Sequence, residues 1–212
     1  MNILKSNTHK PSQGPIVVGT DLSRGSTPVV DYAITLAIAE SKPLHLVYVM
    51  PIIPDDSPSL IDIQRNELMN QVNAAKATMS KHGLAVEGVF VTGNAVHELI
   101  RTADKLDTSY LVVGTNGFEG VDRFLLGSVA EAVIRKADHP VIVVGPEAAK
   151  GATKTIPWKH LMLACDTAHG ITQAARLAAN LAVHHRAHLT IFTVQQEGLE
   201  TVTEDQFDAM EP

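Results

Sequence analysis

Residues 110–129 read YLVVGTNGFEGVDRFLLGSV: a short apolar run, a glycine-rich segment and the start of a helical pattern. The run Tyr110–Gly114 predicts a buried strand, because its apolar residues follow one another without a polar interruption. Gly114 and Gly117 follow directly, and glycine lets the backbone approach an anion closely. Gly127-Ser128 opens the helical pattern, whose first N–H groups favour a phosphate. The stretch therefore predicts either a ligand site at the carboxyl end of a strand or a glycine-rich turn that leads into a serine-capped helix and binds no ligand.

Strand and helix patterns alternate on both sides of this stretch. The predicted strands are Ile16–Asp21, Leu44–Met50, Val86–Val91, Tyr110–Gly114 and Pro140–Val144. The predicted helices are Thr27–Glu40, Leu60–His82 with Gly83 as its stop, a helix capped by Asn94 and ending near Leu106, and Ser128–Lys136. Alternation of this kind predicts right-handed βαβ crossovers and an open parallel sheet covered by helices on both faces.

Composition and charge limit the class of protein. The chain of 212 residues has a net charge of −6, and no basic stripe of the kind that nucleic-acid binding requires. No apolar run reaches the length of a membrane span, and Met1–Gln13 lacks the pattern of a signal peptide. The single cysteine, Cys165, excludes an intramolecular disulfide and fits a reducing compartment. We therefore expect a cytoplasmic protein with no nucleic-acid or membrane partner.

The pattern restarts near residue 160. Shifted by a constant 145 residues, Asp21 falls on Asp166 and Leu44 on Leu189, which predicts an internal repeat. The predicted parts of the chain are a disordered lead-in (1–14), a complete α/β domain (15–146), a linker (147–158), a partial strand–helix–strand repeat (159–195) and an acidic tail (196–212).

The partial repeat is too small to be stable alone, since two strands leave an open edge and half a core. Three explanations stay open on the sequence. The repeat packs on the first domain, swaps with a partner chain, or belongs to a longer tandem protein.

The spacing Gly114-x2-Gly117-x9-Gly127-Ser128 resembles the ATP-binding signature of the universal stress protein family. The opening strand, which ends in Asp21 followed by Ser23, and the closing segment His139–Val144 are similar to the family's first and last strands. A Walker loop and a dinucleotide fingerprint are both absent from the sequence. The resemblance implies a five-stranded parallel sheet of order 3-2-1-4-5 that binds ATP, with Mg2+ as the expected companion ion.

The resemblance also implies a set of ATP contacts in this chain. Gly19, Asp21 and Val49 would lie around the adenine and ribose, and Val113 and Gly114 beside the ribose and phosphates. The residues that would hold the triphosphate are Asn116, Gly117, Gly127, Ser128 and Val129. Two positions depart from the family pattern. Asn116 stands where ATP-binding members often carry Arg or His, and Gly19 stands where a larger residue is common, which we expect to loosen one wall of the pocket.

Simpler roles remain open for several of these residues. Asp21 can serve only to cap the turn after its strand, and Ser128 only as a helix cap. His184, His185 and His188 cluster in the second repeat, where we expect a solvated helix end rather than a metal site.

The resulting prediction is an ATP-binding regulatory module of a stress response that acts through nucleotide-dependent conformation and dimerisation. We expect a homodimer formed through the Val141–Val144 strand or through the partial repeat. The alternatives are a slow ATP hydrolase and an interaction module that binds no nucleotide. Nothing in the sequence marks a dedicated catalytic base, so we expect at most weak ATPase activity.

Overall fold

A computed structural model of the chain describes residues 13–52, 58–115, 126–145, 148, 156–165 and 173–193. The chain divides into two compact units, with the division between Ile156 and Pro157. Residues 1–12 of the expected lead-in and the whole expected acidic tail lie outside the described residues. The boundaries drawn from the sequence therefore remain predictions.

The first unit alternates strands and helices as the sequence predicts. Its elements are β1 (Ile16–Thr20), α1 (Thr27–Glu40), β2 (Leu44–Met50), α2 (Pro58–Met79) with a closing 3-10 turn (Ser80–His82), β3 (Val86–Thr92), α3 (Ala95–Leu106), β4 (Tyr110–Gly114), α4 (Ser128–Lys136) and β5 (Val141–Val144). All pairings are parallel and the strand order is β3-β2-β1-β4-β5, which confirms the predicted architecture.

Helices cover both faces of this sheet. On one face, α2 contributes Arg65 over the ring of Phe90 and Gln71 beside Thr20. On the other face, α3 and α4 pack on alternate residues of the central strands. The buried cluster there consists of Val17, Val47, Leu99, Ala103, Leu111, Val113, Ala130 and Val133. Burial of each larger aliphatic side chain contributes about 1.5–3 kcal/mol, so this cluster fixes α3 and α4 against the sheet.

Local signals in the sequence explain the helix ends. The Asn94 side chain accepts a hydrogen bond from the N–H of His97 at 3.1 Å, which confirms the predicted cap of α3. Gly83 ends the α2 segment with a φ of 70°, a left-handed conformation that favours glycine. The predicted start of α2 at Leu60 is two residues late, because Pro58 serves as the first helical residue, where proline loses no hydrogen bond.

The second unit consists of β6 (His160–Ala164), α5 (Gln173–His185) and β7 (His188–Phe192), with the two strands parallel. Its register repeats that of the first unit at the shift of 145 residues, since Ile16 pairs with Leu44 and Leu161 pairs with Leu189. The residues that follow α1 and α5 also adopt the same left-handed conformation, with φ of 54° at Ser41 and 52° at Arg186. The two units therefore share strand pairing and helix termination in detail.

The two units differ in how their strands are covered. Val17 and Val47 are fully buried beneath α3 and α4 (0% exposed). Their counterparts Met162 and Phe192 are 72% and 52% exposed. Among the described residues of the second unit, nothing corresponds to β4, α3 or α4. The apolar face of its two-stranded sheet is consequently open to solvent.

The prediction that the three histidines lie at a solvated helix end is only partly correct. His184 and His188 are exposed, whereas His185 is buried, with its ring edge-on to Trp158 at a centroid distance of 4.5 Å. The sequence pattern missed this because Trp158 lies outside the helix and meets it only through the tertiary fold.

His45 makes the stability of the first unit depend on pH. Its side chain on β2 is 13% exposed, and burial lowers its pKa, an effect that the carboxylate of Glu87 at 3.8 Å partly offsets. A lowered pKa in the folded state means that the unfolded chain takes up the proton first as the pH falls. The stabilising contribution is therefore present above the ordinary histidine pKa of about 6.5 and is lost below it.

We expect a His45→Gln variant to lose less stability than the wild type when the pH falls from about 7.5 to about 5.5. Urea unfolding at several pH values measures this, and subtracting the two profiles removes the contribution of the other histidines. Parallel profiles for the two proteins would show that His45 is not the source.

Candidate functional site

A cavity of about 460 Å³ opens at the carboxyl ends of β1, β2 and β4, against the amino end of α4. All of its described lining residues belong to the first unit. Open parallel sheets bind ligands at this edge, and the volume lies in the range of small-molecule sites. The fold therefore places a ligand-sized pocket where the glycine-rich segment begins and ends.

Eight of the ten residues named from the sequence line this cavity: Gly19, Asp21, Val49, Val113, Gly114, Gly127, Ser128 and Val129. The other two, Asn116 and Gly117, lie outside the described residues. The fold thus brings together residues that are up to 110 positions apart in the chain. Whether each one contacts a ligand remains a prediction.

Helix α4 begins without a side-chain cap. Gly127 is its N-cap residue, with φ of −63° and ψ of 151°, and it offers no side chain to accept a hydrogen bond. Ser128 is the first helical residue, so the alternative of Ser128 as the cap is wrong. The reason is the extended backbone at Gly127, which turns helical only at the next residue.

The backbone N–H groups at the start of α4 fall into two sets. One is hydrogen-bonded within the protein, and the others belong to residues that line the cavity. The N–H of Gly127 donates to the carbonyl of Thr115 at 2.6 Å, and the N–H of Thr115 donates to the carbonyl of Val144 at 3.2 Å. The next three residues, Ser128, Val129 and Ala130, all line the cavity, and their N–H groups precede the first intrahelical bond. Within the described residues, no acceptor pairs with these three N–H groups.

Asp21 combines a turn contact with an available carboxylate oxygen. Its Oδ1 accepts a hydrogen bond from the N–H of Ser23 at 3.0 Å, which is the turn role that the sequence allowed. Its Oδ2 has no hydrogen-bond partner among the described residues, and the residue lines the cavity. The two roles are compatible, because the turn contact holds the second oxygen in place.

A hydroxyl network behind Asp21 fixes the turn from β1 into α1. The buried Thr20 hydroxyl donates to Oε1 of Gln71 at 3.1 Å and accepts from the N–H of Leu22 at 3.1 Å. Ser26 lies 3.0 Å from the Thr20 hydroxyl and donates to the carbonyl of Ser23 at 2.9 Å. These polar groups are already paired, so they position the wall of the cavity rather than offering free donors to a ligand.

The structure alters one expectation about the wall at Gly19. A Cβ atom at this position would lie 3.2 Å from both methyl carbons of Leu99 on α3. Leu99 therefore occupies the space that a larger residue on β1 would fill, and the expected loosening of the wall does not occur. Sequence reasoning missed Leu99 as a site residue, because the helical period marks it as buried but does not show that it reaches the cavity.

The described lining of the cavity carries little charge. Asp21 is its one carboxylate, and no lysine or arginine belongs to the described lining. Arg24, which follows the cavity residue Asp21 in the chain, is exposed and outside that lining, while Arg123 lies outside the described residues. Positive potential at the described site therefore comes from the amino end of α4.

A family model described as the universal stress protein family matches residues 14–145. The chain belongs to the universal stress protein family. A universal stress protein of Methanocaldococcus jannaschii is 31% identical over 136 residues, which cover 61% of this chain and 80% of that protein. The resemblance first indicated by the glycine spacing is confirmed.

Two solved structures of universal stress proteins from Archaeoglobus fulgidus are similar to different extents of the chain. One has a TM-score of 0.52 and 26% identity, and the match covers 61% of this chain and 97% of that one. The other has a TM-score of 0.71 and 20% identity, covering 93% of this chain and 72% of that one. At 20% identity the second likeness shows the fold alone, and it extends beyond the matched universal stress protein domain.

Within the described part of the chain, no helix has both the length and the apolar composition needed to cross a bilayer.

Proposed function

We propose that the first unit binds ATP with Mg2+ in the cavity at the carboxyl edge of its sheet, and that the protein is a nucleotide-binding regulatory module of a stress response. One observation carries this proposal: the amino end of α4 is uncapped and presents the N–H groups of Ser128, Val129 and Ala130 to the cavity. Backbone N–H groups at a helix start, together with the helix dipole, favour a phosphate.

The remaining walls suit the other parts of a nucleotide. Val29, Val47, Val49, Leu99 and Val113 give the cavity a largely apolar surface. Such a surface favours burial of a flat aromatic base, and the strand residues that line the cavity can offer backbone donors and acceptors to the edge of the base.

The charge of the site supports a bound cation as part of the ligand. A triphosphate carries several negative charges, and the described lining adds a carboxylate but no basic side chain. Mg2+ prefers oxygen ligands and commonly binds one or two carboxylates together with phosphates. Asp21 and the hydroxyl of Ser128 are the described residues that would serve this ion.

The same geometry favours regulation over rapid hydrolysis. Phosphoryl transfer to water needs a group that orients the water, and Asp21, the one carboxylate of the described lining, is partly engaged with Ser23. The hydrogen bond from the N–H of Gly127 to the carbonyl of Thr115 joins two described residues that stand on either side of the segment 116–125 in the sequence. Phosphate bound at Ser128 would lie next to this junction, so binding would bias the conformation of the segment and its contacts with a partner.

Dimerisation belongs to the same proposal. β5 pairs with β4, and no second neighbour of β5 occurs among the described strands. Val141, Ile142 and Val143 are half-buried on this edge. An unpaired apolar edge favours addition of a strand from a second copy, and the second unit provides an alternative surface.

Two measurements test the proposal. Freshly purified protein is heated to release bound nucleotide, which is quantified by chromatography, and emptied protein is then titrated calorimetrically with ATP with and without Mg2+. We expect about one adenine nucleotide per chain, because the proposal places one nucleotide in the cavity of the first unit, and tighter binding with Mg2+, because the described lining has no basic side chain. Absence of both nucleotide and binding heat would overturn the proposal and favour a module that acts without nucleotide.

A further inference from the structure

We propose that Leu99 on α3 determines which nucleotides the site accepts, by occupying the space above Gly19 that would otherwise admit a larger ligand. This inference rests on the proposed function, because it concerns the selectivity of the same cavity. It adds a specificity-determining residue on α3 to the site residues that the sequence indicated, which lie at strand ends and at the start of α4.

The contact between the two residues is direct. Gly19 lies on the face of β1 that α3 covers, and a Cβ atom there would be 3.2 Å from Cδ1 and from Cδ2 of Leu99 and 3.9 Å from its Cγ. Distances of 3.2 Å are shorter than ordinary carbon contacts of about 3.5–4.0 Å. The side chain of Leu99 therefore already fills the position of a β1 side chain, and both residues line the cavity.

Packing prevents Leu99 from moving aside. The side chain is 4% exposed and belongs to the buried cluster that includes Val17, Val47, Val113 and Ala130. Close-packed interiors hold side chains in one arrangement and offer few voids into which they can retreat. Leu99 is thus a rigid wall, and a ligand substituent directed at it has no room.

Helix α3 holds this wall at a fixed position along the sheet. Its first turn is capped by Asn94, and Ala95, its first residue, also lines the cavity. One turn further along the helix, Ala103 is completely buried against the sheet. Exchange of Leu99 for a smaller residue should therefore leave the helix in place and open a space in the cavity.

The experiment compares wild type, Leu99→Ala and Leu106→Ala, with ATP and a series of ATP analogues that carry a bulky apolar group at N6, C2 or C8 of the base or at the ribose 2′ position. Leu106 is the matched control, because it packs against the same cluster at the far end of α3 and does not belong to the described cavity lining.

We expect Leu99→Ala to gain at least about tenfold in affinity for one analogue relative to ATP, since filling a hole with apolar atoms contributes about 1.4 kcal/mol or more. Adding Gly19→Ala to Leu99→Ala should reduce that gain, because the new methyl group re-enters the vacated space. Leu106→Ala should keep the selectivity of the wild type.

The outcomes separate the two proposals. Lack of ATP binding by the wild type overturns the proposed function. ATP binding by the wild type together with unchanged selectivity across the whole series in Leu99→Ala overturns the inference about Leu99 and leaves the proposed function intact. A second readout needs no ligand: Gly19→Ala alone should lower the melting temperature, and in the Leu99→Ala background it should lower it less.

Discussion

Gly127→Asp is expected to bind ATP at least about a hundredfold more weakly than the wild type, while its fold becomes slightly more stable. An aspartate at the N-cap of α4 accepts hydrogen bonds from the N–H groups of the first helical turn, which are the groups proposed to hold the phosphate. Loss of two charge-assisted hydrogen bonds at about 1.5 kcal/mol each already gives a hundredfold effect, and the new negative charge repels the ligand.

The gain in stability distinguishes this variant from simple damage. Gly127 has φ of −63° and ψ of 151°, a backbone conformation that every L-residue adopts without strain. A capping carboxylate in place of glycine, next to the positive end of the helix dipole, should contribute about 0.5 kcal/mol. Calorimetry with ATP and thermal unfolding without ATP measure the two opposite effects.

Another helix start provides the matched control. Asn94 caps α3, and its side chain accepts the N–H of His97 at 3.1 Å. Asn94→Ala should cost about 1 kcal/mol of stability and leave ATP affinity nearly unchanged, which is the reverse of the result for Gly127→Asp. Equal ATP affinity of Gly127→Asp and wild type would exclude the start of α4 as the phosphate site.

The architecture was accessible from the sequence because its determinants are local. Apolar runs such as Leu44–Met50 have the length of buried strands, and Asn94 and Gly83 mark helix ends by their own chemistry. The resemblance to the universal stress protein family also implied eight of the cavity residues, since its glycine spacing and its opening strand can both be recognised in the sequence.

Other features of the site depend on contacts between distant segments. The space above Gly19 is filled by Leu99, which is 80 residues later in the chain. The N–H of Gly127 is used by Thr115 rather than left for a ligand, and this follows from the backbone angles at the helix start. Neither feature leaves a periodic or compositional signal in the sequence.

Val17→Ala and Met162→Ala should differ sharply in their effect on stability, although the two residues occupy the same position in the two units. We expect Val17→Ala to cost about 2 kcal/mol, because it removes two methyl groups from a fully buried cluster that cannot collapse around the gap. Met162→Ala should change stability by less than about 0.5 kcal/mol, because its side chain is 72% exposed.

The single tryptophan of the chain allows the two units to be followed separately. Trp158 packs against His185 within the second unit, so its fluorescence reports unfolding there, whereas circular dichroism reports the helices of the whole chain. Val17→Ala should lower the midpoint of the unfolding transition followed by circular dichroism. Met162→Ala should leave the midpoint of the fluorescence transition unchanged. A cost for Met162→Ala as large as that for Val17→Ala would mean that the open face of β6 and β7 is covered in solution. The second unit would then be stabilised by a partner surface that covers this face of its sheet, as α3 and α4 cover the corresponding face in the first unit.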